Sequence, residues 1–300
     1  MDELTLDNPP RLQDAVLIVA FTGWSDAGAV ATSAGRWLLS QWSSRRFATL
    51  DPEEYYDFTS TRPEVTLDSR GLRHLAWPAN EWYVLSGAPS ERPLIIFLGA
   101  EPQLRWRRYT TLMLDLAEQI GVTTVIGLGS LLQDVPHTRP AKLSGSANDG
   151  RMRTRLLAAG VPASGYQGPT SILSVVQDFC RQRGGISASI WGAVPHYISA
   201  HPNPMVMHAV LQALATVLEL PLDLTSLQQD ARTFEEKVTA ALRANPQIAA
   251  MVRALEEQHD QHSTPALPAA DESPLPSGAD LVAELERFLR SRQQRQEGEG

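Results

Sequence analysis

The stretch that most constrains this chain is an uninterrupted apolar run, Ala15-Val16-Leu17-Ile18-Val19-Ala20-Phe21, which breaks into Thr22-Gly23-Trp24-Ser25-Asp26-Ala27-Gly28. A run without polar alternation reads as a strand buried on both faces, and such a strand needs helices above and below it. A helix follows the turn, with Ala27, Val30, Ala31, Ala34 and Leu38 falling on one apolar face. Ser25 or Asp26 is placed to cap it, because either side chain can accept from a free first-turn N–H. Strand, tight turn and small-residue helix form the opening unit of an α/β domain. The turn lies at the carboxyl end of its strand, where open α/β sheets place their binding crevices.

The pattern recurs along the chain. Arg46–Leu50 reads as a second strand, and Val65 to about Gly87 as short antiparallel pieces that make the sheet mixed. Pro93–Gly99 is another fully buried strand, leading through Ala100-Glu101-Pro102 into a helix whose apolar face is Tyr109, Leu112, Met113, Leu116, Ala117 and Ile120. Val122–Gly129 is a third, followed by a long polar connection from Ser130 to Asn148. A helix through Thr154–Leu157, a helix from Ser171 to Arg183 and a strand at Ile186–Val194 come next. Asn203 then caps a helix that has Pro204 at its first position. The predicted fold is a three-layer α/β sandwich with a mixed, mostly parallel sheet, spanning residues 1–222.

From Leu224 the pattern changes. Leu227, Ala231, Phe234, Val238 and Ala241 form a coiled-coil-like stripe, Asn245-Pro246 breaks it, and Ile248, Val252 and Leu255 restart it. This predicts a helical hairpin at 223–262, packed on the core or on a neighbouring subunit. A Pro-rich linker is expected at 263–279, and a short terminal helix with a disordered tail at 280–300.

A net charge of −8 argues against a nucleic-acid binder, which presents a basic face. The single cysteine, Cys180, excludes an internal disulfide and a cysteine-based metal cluster, and its helical setting assigns it to packing. The acidic start Met1-Asp2-Glu3-Leu4 is unlike a signal peptide, and no apolar run is long enough for a membrane span. A soluble, cytoplasmic protein is the expectation.

No complete catalytic signature is present. Gly127-Leu128-Gly129-Ser130 lacks the third glycine of a dinucleotide fingerprint and the Gly-Lys-Ser/Thr of a phosphate loop, and reads as a tight strand-to-loop turn. The histidines show no helical His-x-x-x-His pair, so no metal is expected. Ser25 with Asp26 resembles a nucleophile turn without its Gly-x-Ser-x-Gly frame, and capping explains the pair as well. Glu53, Glu54 and Asp57, interleaved with Tyr55, Tyr56 and Phe58, form an acidic and aromatic patch that reads either as a solvated face or as a contact surface or pocket wall. Arg105, Arg107 and Arg108 crowd a helix start, where the helix dipole disfavours positive charge. A compensating anion is expected there: Glu101, the Glu53–Glu54 patch or a ligand.

The residues also resemble a family. Phe21–Gly28, Tyr55 with Arg62-Pro63, Gly99-Ala100-Glu101-Pro102 with Trp106, and Gly127-Leu128-Gly129 are similar to segments of the proteasome assembly chaperone 2 family. So are Pro136-His137-Thr138-Arg139-Pro140, Gly165-Tyr166-Gln167-Gly168-Pro169 and Trp191–Tyr197, over roughly residues 15 to 220. The helical extension is typical of the actinobacterial branch. The resemblance implies a phosphorylase/hydrolase-like fold, a homotrimer, and kinship with non-catalytic chaperones that dock on other proteins. With no phosphate-gripping Gly-rich loop and no metal-carboxylate set in the residues, no cofactor is expected. The family has no established catalytic residues to carry over.

Two functional readings follow. The first is a non-enzymatic binding or assembly protein, a homo-oligomer with a possible protein partner. In it the helical hairpin and terminal helix supply the subunit or partner contacts. Any ligand at the carboxyl ends of the strands has Thr22, Gly23, Trp24, Glu101, Arg105, Arg107, Gly129 and Ser130 as contacting candidates, with Arg105 or Arg107 placed to hold a substrate anion. The alternative is a small-molecule hydrolase acting on an amide, peptide or nucleoside-like substrate, with Ser25, Asp26, Glu101 and His196 as catalytic candidates.

Overall fold

The structure, a computed structural model, describes residues 3–243 and 245–263, and the described residues up to His259 make up one compact unit. The strands are β1 (Leu4–Leu6), β2 (Ala15–Thr22), β3 (Ser43–Leu50), β4 (Glu64–Leu67), β5 (Arg73–Ala76), β6 (Asn80–Ser86), β7 (Leu94–Ala100), β8 (Val122–Gln133), β9 (Leu143–Ala147) and β10 (Ile186–Pro195). The helices are α1 (Val30–Gln41), α2 (Trp106–Gln119), α3 (Gly150–Ala158), α4 (Ile172–Gln182), α5 (Pro204–Leu218), α6 (Thr225–Arg243) and α7 (Pro246–Ser263).

Eight strands form one mixed sheet in the order β1-β3-β6-β7-β2-β8-β10-β9. The four central strands, β7, β2, β8 and β10, run parallel, and antiparallel strands flank them on both sides. The expected α/β class holds, and β2 shows why. Its alternate side chains feed two different apolar layers: Val16, Ile18 and Ala20 pack towards α1, α3, α5 and Leu227 of α6, while Leu17, Val19 and Phe21 pack towards α2 and α4. A strand between two helical layers has no polar side to show, so its sequence is apolar throughout. Asn203 caps α5 as the sequence predicts, its side chain accepting from Val206 N at 3.2 Å with Pro204 at the first helical position.

Two sequence expectations are corrected. Gly127–Ser130 is not a turn: it lies inside β8, which continues to Gln133. Gly129 is required by packing, because a Cβ there would sit 2.5 Å from Trp191 Cε3 on the neighbouring strand. The connection from Ser130 to Asn148 is not all loop either, since it includes β9, paired antiparallel to β10. Leu-Ser-Gly-Ser-Ala has weak strand preference, and its pairing with β10 supplies the order.

The two predicted extension helices are present, with the break at Asn245, whose side chain accepts from Gln247 N and Ile248 N. Both attach to the loop at 135–140. His137 bonds Thr239 of α6 through Nε2 (3.1 Å) and Tyr197 through Nδ1 (2.9 Å), and Thr138 and Arg139 hold Glu256 of α7. Burial pushes the His137 imidazole below its usual pKa. The expected linker beyond residue 263 and the terminal helix at 280–300 lie outside the described residues.

The β4–β5 hairpin stands apart from the main sheet. Its register pairs Val65 with Leu75 and Leu67 with Arg73, which puts Val65, Leu67 and Leu75 on one face, while Thr66 and His74 share the other. Val65, Leu67, Leu72, Leu75 and Trp77 are all exposed, Leu67 at 67% and Leu75 at 61%. None of the side chains from 64 to 76 joins either apolar layer.

Candidate functional site at the carboxyl end of the sheet

The turn after β2 is built by a relay of capping groups. Gly23 adopts φ +114, a conformation L side chains rarely reach, and a Cβ there would also press to 3.2 Å from Glu101 Cβ. A short 3₁₀ turn at Ala27–Ala29 separates the turn from α1, with Ala29 in the left-handed region at φ 51. That detour moves Asp26 out of the ordinary N-cap position. Its carboxylate still reaches the first turn of α1, taking Thr32 N at 3.1 Å and Thr32 Oγ1 at 2.6 Å. Burial raises the Asp26 pKa above its usual value, and the bonds from Thr32, the Ala31 N–H and the Arg36 charge oppose that shift. The capping role read from the sequence therefore belongs to Asp26, displaced by one 3₁₀ turn.

Ser25 points into the protein. It is fully buried, and its Oγ has no hydrogen-bond partner among the described residues. Its carbonyl accepts from Ser130 N at 2.8 Å, and Ser130 Oγ donates to Ala27 O at 2.8 Å, tying β8 to the turn. Glu101 follows β7. Its Oε2 accepts from Trp24 N (3.2 Å) and its Oε1 from Ile172 N (2.9 Å), the first amide of α4, where the helix dipole favours a negative charge. Glu101 thus bridges two segments and does not pair with Arg105.

The arginine cluster finds other anions. Arg105 pairs with Glu54 and Arg108 with Glu3 at 2.8 Å, whereas Arg107 is exposed with no partner among the described residues. Glu54 is the compensation expected of the acidic patch, and Tyr55 and Tyr56 from the same segment are buried beneath it. His196 lies past the end of β10 and pairs with Asp134 at 2.9 Å. The structure thus places Ser25, Asp26, Glu101 and His196 along one end of the sheet, yet no side-chain hydrogen bond joins any two of them.

A cleft of about 920 Å³ opens at this end, bounded by Trp24, Leu131, Leu132, Tyr166 and Ile198, with Asp26 and His196 on its walls. Ser25, Glu101 and Ser130 are not among its lining residues. Trp24 (52% exposed), Leu132 and Tyr166 present large apolar surfaces to it. Neither Leu132 nor Tyr166 is among the candidate site residues read from the sequence; strand alternation beyond Gly129 would have found the first, and for the second the only signal was its place in the family-like segment Gly165–Pro169. No cluster of three or more His, Cys, Asp or Glu suited to a metal occurs among the described residues. No described helix is long and apolar enough to cross a membrane.

A three-layer α/β scaffold with an apolar, aromatic cleft at the strand ends is the class that fold and site define together. The family follows from comparison: the PAC2 family model matches residues 20–242, and the chain belongs to that family. It is similar to a PAC2 family protein from Streptomyces avermitilis, 37% identical, with 80% of this chain and 100% of that one covered and a TM-score of 0.70. It is also similar to a proteasome-assembly chaperone homologue from Mycobacterium tuberculosis, 34% identical over 79% of this chain and 99% of the other, TM-score 0.72. A protein of unknown function from Corynebacterium glutamicum aligns over 87% of this chain and 97% of its own, at 27% identity and TM-score 0.78. No curated protein matches.

Proposed function

We propose that this chain is a non-enzymatic, chaperone-like binding protein that works as a homo-oligomer, with a trimer favoured, and captures a protein partner in the cytoplasm. The observation that carries this reading is the apolar face of the β4–β5 hairpin, where Val65, Leu67 and Leu75 meet water on a two-stranded ribbon. Such a ribbon is at best marginally stable alone, so its apolar face calls for cover by a partner. The likeness to a proteasome-assembly chaperone homologue supports an assembly role. In this reading residues 1–222 are the scaffold, and the helices at 223–262 add contact surface. The alternative, a small-molecule hydrolase, needs a nucleophile and a base in contact, and the carboxylates and the serine of this site are spent on capping and bridging or buried without a partner.

Native mass spectrometry of the full chain tests the proposal. The expected result is a complex at three times the 32.9 kDa chain mass with no bound small molecule. A monomer would overturn the oligomeric reading, and a small molecule released on denaturation would move the hydrolase reading ahead.

A further inference from the structure

A second cleft, of about 500 Å³, lies between the start of the β4–β5 hairpin, the end of β7 and α1. That volume is within the range of small-molecule pockets. Two guanidiniums line it, Arg36 from α1 and Arg62 from the segment before β4. Neither makes a hydrogen bond or an ion pair among the described residues, so the donors of both forks are unspent.

The carboxylates that feel these charges are occupied elsewhere. Asp26, whose pKa burial raises against a smaller opposing pull from Arg36, accepts from Thr32 N and Thr32 Oγ1. Asp57, held below its usual pKa first by the bonds from Thr59 and Ser60 and least by Arg62, accepts from Thr59 N and Thr59 Oγ1 through Oδ1 and from Ser60 Oγ through Oδ2. Glu81, on the cleft wall, is held by Arg46 and by Tyr83 OH. Glu64 is then the one uncommitted carboxylate of the lining among the described residues, against two uncommitted cations. The cleft favours an anion.

Its remaining walls describe the rest of the guest. Trp77 lines it, braced edge-on by Phe58 at 4.9 Å between ring centroids, and Tyr83 lines it as well. Thr61 Oγ1 accepts from Gln103 Nε2 at 2.7 Å, which leaves its own hydrogen to donate. A braced indole in a cleft with two uncommitted guanidiniums suits a planar ring joined to an oxyanion.

We propose that this cleft binds an organic anion carrying a planar ring, with the oxyanion between Arg36 and Arg62 and the ring against Trp77. The site is separate from the carboxyl-end cleft and does not depend on the assembly reading. Two sources share this chemistry, an organic phosphate and an aromatic carboxylate, and the test separates them.

Isothermal titration calorimetry on the full chain uses adenosine 5′-monophosphate for the phosphate arm, indole-3-acetate for the carboxylate arm, and inorganic phosphate as the ringless control. At least one ring-bearing probe is expected to bind about tenfold or more tightly than inorganic phosphate. Arg36→Gln and Arg62→Gln should each weaken that binding by about tenfold or more, while Trp77→Ala brings it to the level of the ringless control. Both arginines are exposed, so the variants should melt like the parent, and a melting curve checks this. Binding of neither ring-bearing probe at millimolar concentration overturns the proposal. So does binding that both arginine variants leave undiminished, or binding no tighter than that of inorganic phosphate.

Discussion

The turn after β2 and the β4–β5 hairpin treat their side chains in opposite ways. In the turn the polar groups are consumed by construction: Asp26 holds Thr32, Ser130 holds the Ala27 carbonyl, and Glu101 fastens Trp24 N to the first amide of α4. In the hairpin the apolar groups are left over, with Val65, Leu67 and Leu75 facing water and absent from both apolar layers. Residue types that look chemical are doing structural tasks, and residue types that look structural form the free surface. Function on this scaffold is to be sought in what is uncommitted: the hairpin face, the aromatic rim at Trp24 and Tyr166, and the two unspent guanidiniums.

The largest effect that bears on this contrast is expected at the hairpin. Replacing Leu67→Asp and Leu75→Asp together removes two leucines from any buried contact. Each buried leucine is worth about 1.5–3 kcal/mol, so the pair should weaken association by roughly a hundredfold or more. Because both side chains are exposed in the isolated chain, its melting should move by less than about 0.5 kcal/mol. Sedimentation velocity reads the first quantity and chemical denaturation the second. An oligomer that survives both substitutions would break the comparison, since the hairpin would then be decoration.

At the turn the order reverses, with stability lost and association kept. Asp26→Ala deletes the displaced cap and leaves Thr32 N and Thr32 Oγ1 without their acceptor in a buried setting. A lost cap of this kind costs about 1–2 kcal/mol, which urea denaturation resolves. If the variant keeps full stability but loses ligand or partner binding, Asp26 belongs to function and not to the frame.

How much of this was legible in the chain follows the same division. Strands buried on both faces announce themselves as apolar runs, and Asn203-Pro204 announces a helix start, because each signal is local. Gly129 was misread as a turn because its reason is not local: the ring of Trp191 fills the place a Cβ would take, and Trp191 is on another strand. β9 was missed because its order comes from pairing with β10 and not from its own residues. Residues 65–87 read as short antiparallel pieces of the main sheet, but only β6 joins it; β4 and β5 pair with each other alone, and nothing local in their residues says whether anything covers their apolar face. Strand–turn–helix logic pointed to the carboxyl end of the sheet, where a cleft does open. The wiring there was not legible, because the 3₁₀ detour that displaces Asp26 from the cap position depends on a left-handed Ala29 that no sequence pattern marks.

The smallest effect is the most discriminating, because it is a difference in pH response. Burial raises the Asp26 carboxyl above 3.8, outweighing the bonds from Thr32 and the charge of Arg36. A carboxyl that holds its proton more tightly folded than unfolded gives the folded state more bound protons in the window from 3.8 up to the folded value. Stability from this group is therefore present at low pH and falls as pH rises through that window, leaving the penalty in full at neutral pH. Asp26→Asn cannot titrate and lacks this component. In urea denaturation stepped from pH 7 to pH 4, the parent chain should gain relative to Asp26→Asn as acid is added, even while both lose stability from other carboxylates such as Asp57 and Asp68, whose pKa values lie below the usual range. A difference that stays flat would mean that Asp26 is as well solvated as the hairpin residues, and the contrast between a sealed turn and an open hairpin would fail at its central residue.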